Sequence, residues 1–386
     1  MKFDLPQNIK FVLDTLISNG HSAYIVGGCV RDLLCGKLPN DYDITTSALP
    51  QMTQSLFEKT IATGIKHGTI TVVINNEPIE VTTYRTESAY NDSRHPENVN
   101  FVSKVDDDLA RRDFTVNAMC YNEKDGLIDL FGGIKDINSK TLRAVGNAET
   151  RFTEDALRIL RLFRFASTLQ FDIEHKTFNA ALKCANLLKN ISAERIFTEL
   201  KKSAMGSNVA VLSSLLNTNC LDNYCIKGGS LEKIKDLKEN ENLKFFALLY
   251  LTSTNLTKTL DLLKCSNGFK DYCAKMSYLI KENVKDDKIS IKKALNYTDF
   301  DVFYDFLSYL EGIQNLDVSN YLKLLHEIKE NQEPYKISHL DITGKDIIAL
   351  GFDGKLVGEK LEFLLNEVIL NPNNNTREKL LNLICN

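Results

Sequence analysis

The feature that most limits what this chain can become is a change of texture near Thr150. From Ala23 to about Leu130 it is written in short runs, AYIVGG, DYDITT, TITVVIN, IEVTTYR and FTVNAMCY, rich in Val, Ile, Thr and Tyr and closed by turn residues. That is the pattern of β-strands. An amphipathic segment from Ile9 to Ser18 precedes them, and helix-like pieces, VRDLLCG and QMTQSLFEK, lie between. Beyond Thr150 apolar residues recur at helical spacing through DALRILRLFRFASTL, TFNAALKCANLLK, SAERIFTELKKSAM, KFFALLYL and VSNYLKLLHEIK, the stripe of amphipathic helices. The expected fold class is therefore an α+β module followed by an all-α remainder. A chain of 386 residues exceeds what one core organises, so about two to four units are expected.

Charge and composition narrow the function. The chain carries 47 basic and 51 acidic residues, a net charge of -4, so no global positive field advertises nucleic acid and any such site must be local. Residues 151–205, with ten basic and six acidic side chains, supply a locally basic stretch suited to RNA phosphates. No apolar run approaches the roughly 18 residues of a membrane span, and the opening MKFDLPQNIK is no signal peptide, so a cytoplasmic protein without membrane contact is expected. The nine cysteines form no C-x-x-C pair; they read as buried reduced thiols, and a structural zinc is not expected.

Four motifs carry chemistry. Gly27-Gly28-Cys29-Val30-Arg31-Asp32 follows the strand AYIV and opens a helix, bringing flexible backbone and free N–H groups together as a phosphate cradle would. It is neither a P-loop nor a dinucleotide fingerprint. Asp41 and Asp43 head the strand DYDITT, where alternate residues share a face and two carboxylates converge as Mg²⁺ requires. Two other such triplets, Asp106/Asp108 and Asp299/Asp301, precede helical patterns and read as solvated acids capping helix N-termini. In Arg111-Arg112-Asp113-Phe114-Thr115, paired cations adjoin an acid at the start of a strand, a grip for a triphosphate or a surface ion pair. A helix beginning near Phe152, with Thr153 as N-cap, carries Asp155, Arg158, Arg161 and Arg164 as a polar ridge; a solvated charge ladder has the same spacing.

Their order is more specific than any one of them. A GG-x-V-R-D turn, a D-x-D strand, RRDFT, E-D-x-x-R-x-x-R and then S-A-E-R-I-x-x-E-L at Ser192 to Leu200 resemble the tRNA nucleotidyltransferase and bacterial poly(A) polymerase family, class II of the polymerase-β-like nucleotidyltransferases. The match spans roughly Gly20 to Met205. Residues 340–369 resemble the end of CCA-adding members, and Thr63 to Thr69, TGIKHGT, resembles their variant of the head. The segment 88–98, SAYNDSRHPEN, resembles the head loop that CC-only enzymes lack. No His-Asp pair stands where some relatives carry a phosphohydrolase motif.

The resemblance implies a nucleotidyltransferase head (residues 1–150), a helical neck bearing the nucleotide-selecting helix (151–205), a helical body (206–330) and a helical tail (331–386). It implies that Asp41 and Asp43 hold Mg²⁺, with Glu80 as candidate third carboxylate. Gly28, Arg31 and Arg112 would contact the nucleotide's phosphates and sugar, and Asp113 would lie near the ribose. Asp155, Arg158, Arg161 and Arg164 would face the nucleotide, the first two reading its base. The implied reaction is template-independent addition of C, C and A to the acceptor arm of tRNA from CTP and ATP, by two-metal transfer with release of pyrophosphate. An A-only enzyme, a poly(A) polymerase and an inactive RNA-binding scaffold are the alternatives, and the sequence leaves a homodimer open.

Overall fold

The computed structural model describes residues 2–87 and 99–385; the segment 88–98, SAYNDSRHPEN, lies outside the described residues. The chain divides into two compact units, one of residues 1–235 with 249–264, the other of 236–248 with 265–386.

In the first unit α1 (Gln7–Ser18) leads into β1 (Ala23–Val26), α2 (Gly28–Leu34), β2 (Ile44–Thr46), α3 (Pro50–Leu56), β3 (Thr60–Gly64), β4 (Thr69–Ile74) and β5 (Glu77–Thr83). A short pair, β6 (Arg85–Glu87) and β7 (Val99–Phe101), is followed by α4 (Val105–Ala110), β8 (Met119–Asn122), β9 (Gly126–Asp129) and α5 (Gly133–Asn138). Among the described residues the main sheet has the order β3-β4-β5-β2-β1-β8-β9, antiparallel throughout except where β2 runs parallel to β5. Its centre is β2, and the interior strand β1 beside it is buried at all four positions, which is why AYIV reads as a continuous apolar run rather than an alternating one.

The strands depart from the expected ones in three places, DYDITT keeping only Ile44–Thr46 so that Asp41 and Asp43 precede β2. FTVNAMCY becomes a 3₁₀ turn over Thr115–Asn117 and a strand only from Met119, because Thr115 and Asn117 spend their side chains on Asp136 and on Arg31 and Asp113. The edge strand β3, TIATG, was not among the expected strands; small and exposed, it lacks the apolar alternation that marks a strand.

Behind the sheet stand α6 (Ala148–Glu154), α7 (Leu157–Leu169), α8 (His175–Cys184) and α9 (Ala193–Ala204). The helix expected to begin near Phe152 is in fact two. Asn147 caps the first by accepting from Thr150 N at 3.0 Å, and Thr153 turns its hydroxyl back to Glu149 O at 2.8 Å instead of capping. The chain then breaks at Asp155, in extended conformation at φ -136°, before α7 begins.

The second unit is helical over Asn267–Lys281, Lys288–Tyr297, Phe300–Gln314 and Ser319–Glu330. Ser266, Asp287 and Asp299 cap the first three through the backbone N–H three residues on, so Asp299 is a helix cap as its spacing implies. Farther on, Leu340, Ile347, Leu364, Val368 and Leu380 join one apolar cluster between Gly354–Leu370 and its neighbours. Among the described residues no helix is long and apolar enough to cross a membrane. The eight cysteines from Cys29 to Cys273 are free, but Cys35 is exposed and Cys184 and Cys225 are only half-buried, so burial does not extend to all of them.

Candidate active site

The glycine turn is the first fixed point. Gly27 adopts φ +82°, and a Cβ there would stand 3.1 Å from Arg112 Nη1, so both conformation and space demand glycine. Gly28, the position singled out from sequence, opens α2 in ordinary helical conformation. One turn on, Arg31 is buried; its Nη1 donates to Asn117 Oδ1 at 2.7 Å, and its Nε and Nη2 donate to Asp32 Oδ1.

The carboxylates follow from strand register. Asp43 extends β2 backwards, its carbonyl accepting from Val26 N at 2.9 Å. In the parallel pairing Ile44 faces Val81, so carrying the register one residue back sets Asp43 level with Glu80 on β5. Asp41, Asp43 and Glu80 are all solvent-reached. The surrounding protein, Asp41 and Glu80 raise the pKa of Asp43, and Arg112 opposes the shift. This is a crowd of like charges with an unmet demand for a cation. The donors are oxygens, which suits Mg²⁺. Among the described residues no group of three or more acid, His or Cys side chains is placed to hold a metal by itself. Two carboxylates that leave further positions to phosphate oxygens and water fit Mg²⁺.

Asp108 departs from its expected role. Its exposure is 0 %, and instead of capping it binds Arg111 and Arg112 (2.7 and 3.1 Å). Burial alone would raise its pKa, but Arg112 and Arg111 hold it below the ordinary value. The two arginines are thus gathered on an internal acid, an outcome that their spacing does not distinguish from a surface pair.

Asp113 is also internal, accepting from Phe114 N, Asn117 Nδ2 and Arg161 Nε at 2.9, 3.3 and 2.8 Å. Burial works against its charge, yet Arg161 above all holds its pKa down to about 2. Arg158, Arg161 and Arg164 keep their step of three on α7, without Asp155, and their pairing does not fit a solvated ladder. Arg158 pairs with Glu154 at 2.7 Å and donates to Arg111 O at 3.0 Å; Arg161 pairs with Asp113 and Arg164 with Glu199, each at 2.7 Å. Arg31, Arg161 and Arg164 surround the buried ring of Phe165 at 5.3, 5.3 and 4.1 Å. Asp155, off the helix at the break, accepts from Leu157 N at 3.1 Å and is gripped by Arg195 at 3.2 and 2.7 Å. Of the partners that reasoning on single motifs missed, Arg195 and Glu199 stand inside S-A-E-R-I-x-x-E-L and Asn117 just beyond RRDFT, so the signal lay in the motif order.

The family described as poly A polymerase head domain matches residues 23–143, and that described as probable RNA and SrmB-binding site of polymerase A matches residues 170–223. A mixed sheet that sets Asp43 beside the glycine turn, followed in the chain by an all-α remainder, makes the protein a nucleotidyltransferase with a polymerase-β-like head. The CCA-adding enzyme of Ligilactobacillus salivarius is 35% identical over 96% of this chain and 94% of its own, and that of Streptococcus mutans 37% over 92% and 90%. The crystal structure of the Bacillus stearothermophilus CCA-adding enzyme in complex with CTP covers 96% of this chain and 94% of its own, with a TM-score of 0.82 at 31% identity. The chain belongs to the CCA-adding enzymes, the tRNA nucleotidyltransferases of this class.

Proposed function

We propose that this enzyme extends the acceptor arm of cytoplasmic tRNA by C, C and A from CTP and ATP, releasing pyrophosphate at each step, with Asp41 and Asp43 as the metal-holding acids. The observation that carries the reading is the level placement of Asp43 and Glu80 on adjacent strands, with Asp41 beside them and Arg112 as the opposing cation. Mg²⁺ held there supplies activation of the primer 3′-hydroxyl and charge neutralisation on the triphosphate.

The chain's own residues do the rest by positioning. Gly28, Arg31 and Arg112 orient the phosphates, and Asp113, itself fixed by Arg161, lies toward the ribose. Asp155 and Arg158 read the base, while Arg161 and Arg164 complete the cationic wall. Cytosine and adenine each present an amino donor beside an unprotonated ring nitrogen, whereas uracil and guanine reverse both. A carboxylate offers about four acceptor sites, and with Leu157 N and two Arg195 donors already on Asp155, an acceptor position stays open for that amine. We assign residues 1–150 to the catalytic head, 151–205 to the neck, 206–330 to the body and 331–386 to the tail.

The test is a product ladder on tRNA ending at the discriminator base. CTP alone should give two added residues and CTP with ATP three. A protein that adds only A, or a long A tract, contradicts the reading.

A further inference from the structure

Asp108 has the sequence spacing of a solvated cap, but the fold places it inside. Its Oδ1 accepts from Arg111 Nε and Nη2 at 3.0 and 2.7 Å, and its Oδ2 accepts from Arg112 Nη2 at 3.1 Å and Thr45 Oγ1 at 3.3 Å. A carboxylate with no solvent is costly to bury and persists only where its donors are well placed. Two of these donors adjoin the site. Thr45 lies on β2 two residues beyond Asp43, and Arg112 Nη1 lies where a Cβ on Gly27 would meet it at 3.1 Å. The same acid therefore ties the strand of the metal-holding pair to the arginine that faces the glycine turn.

We propose that Asp108 is a positioning residue for nucleotidyl transfer, fixing Arg112 from inside the protein so that its guanidinium stands ready at the triphosphate. The proposal rests on the reading of Arg112 as a phosphate contact. Arg112 on a flexible stem would lose rotamer freedom on each binding event; held by Asp108 and crowded against Gly27, it has already lost it. A merely structural ion pair would support folding without favouring nucleotide.

The experiment is a double-mutant cycle on the full-length enzyme, with tRNA ending at the discriminator base for CTP and tRNA ending in CC for ATP. Asp108→Asn should raise KM for CTP and ATP alike by roughly tenfold, with kcat within about threefold of wild type. In an Arg112→Ala background, where KM is already high, the same change should add less than about twofold, because the contact it orients is gone. An unchanged KM in Asp108→Asn, or the same factor in both backgrounds, overturns the proposal. Should Asp108→Asn be recovered unfolded, the near-isosteric Thr45→Val decides. A rise of about threefold in KM that vanishes with Arg112→Ala upholds the proposal, and a wild-type KM or a rise that persists overturns it. Wild-type KM in Arg112→Ala removes the phosphate-contact reading and the proposal together, whereas a raised KM there with none in Asp108→Asn removes the proposal alone.

Discussion

Arg161 on α7 and Asp113, just after Arg112, form an ion pair of 2.7 Å in which the acid is only 8% exposed. This pair joins α7 to the turn that follows α4, and Asn117 and Phe114 N complete the acid's hydrogen bonds.

Removing one partner of such a pair strands the other. Asp113→Asn should lower stability by about 2 to 3 kcal/mol, measured by urea unfolding near neutral pH. Because the acid's pKa in the folded protein is about 2 against an ordinary 3.8, its stabilisation is fully present above 3.8 and is lost as pH falls from there toward 2. The stability gap between variant and wild type should narrow through that window and stay constant above it.

Asp43 behaves in the opposite sense. Its raised pKa, caused by the surrounding protein and then by Asp41 and Glu80, means that its ionised form destabilises the metal-free fold at neutral pH. This penalty disappears as pH falls through the raised value toward the ordinary 3.8. Asp43→Asn should therefore raise the Tm of the metal-free enzyme at pH 7, with the gain absent at pH values below the ordinary carboxylate range. Mg²⁺ should raise the Tm of wild type and not that of Asp43→Asn; equal Mg²⁺ shifts in both would remove Asp43 from the metal site.

Base choice is testable at Asp155. Replacing it with Asn supplies an amide that donates as well as accepts, so the penalty against the O4 of UTP should shrink while pairing to CTP weakens. The CTP-to-UTP ratio of kcat/KM should narrow by roughly tenfold to a hundredfold in Asp155→Asn. Arg164→Ala, which removes an ion pair to Glu199 and no base contact, should weaken both nucleotides alike.

How far the sequence reached can be judged residue by residue. The nearness of Asp41 to Asp43 agrees with their spacing of two, but the strand expected over DYDITT begins only at Ile44, so both acids precede it and strand alternation is not what sets them; α7 was legible because its apolar stripe has helical period. Asp155 was misplaced onto that helix, since a break between two helices leaves the period almost undisturbed, and only the distant Arg195 shows what holds the acid there. Asp108 was read as solvated although Arg111 and Arg112 stand three and four residues on. Local spacing announces an ion pair but not its burial, which is decided by Thr45 on a strand far away in the chain. The edge strand β3 failed for the converse reason, its pairing with β4 lending order to residues with little strand character of their own.

The central claim is that Asp41 and Asp43 carry the transfer, and single-turnover incorporation of CTP into tRNA ending at the discriminator base tests it most directly. Asp41→Ala and Asp43→Ala, folded by circular dichroism, should each be slower than wild type by on the order of a thousandfold or more. Asp299→Ala, which removes a helix cap and an ion pair to Lys275, should retain wild-type turnover. Turnover equal to wild type in Asp43→Ala contradicts the account.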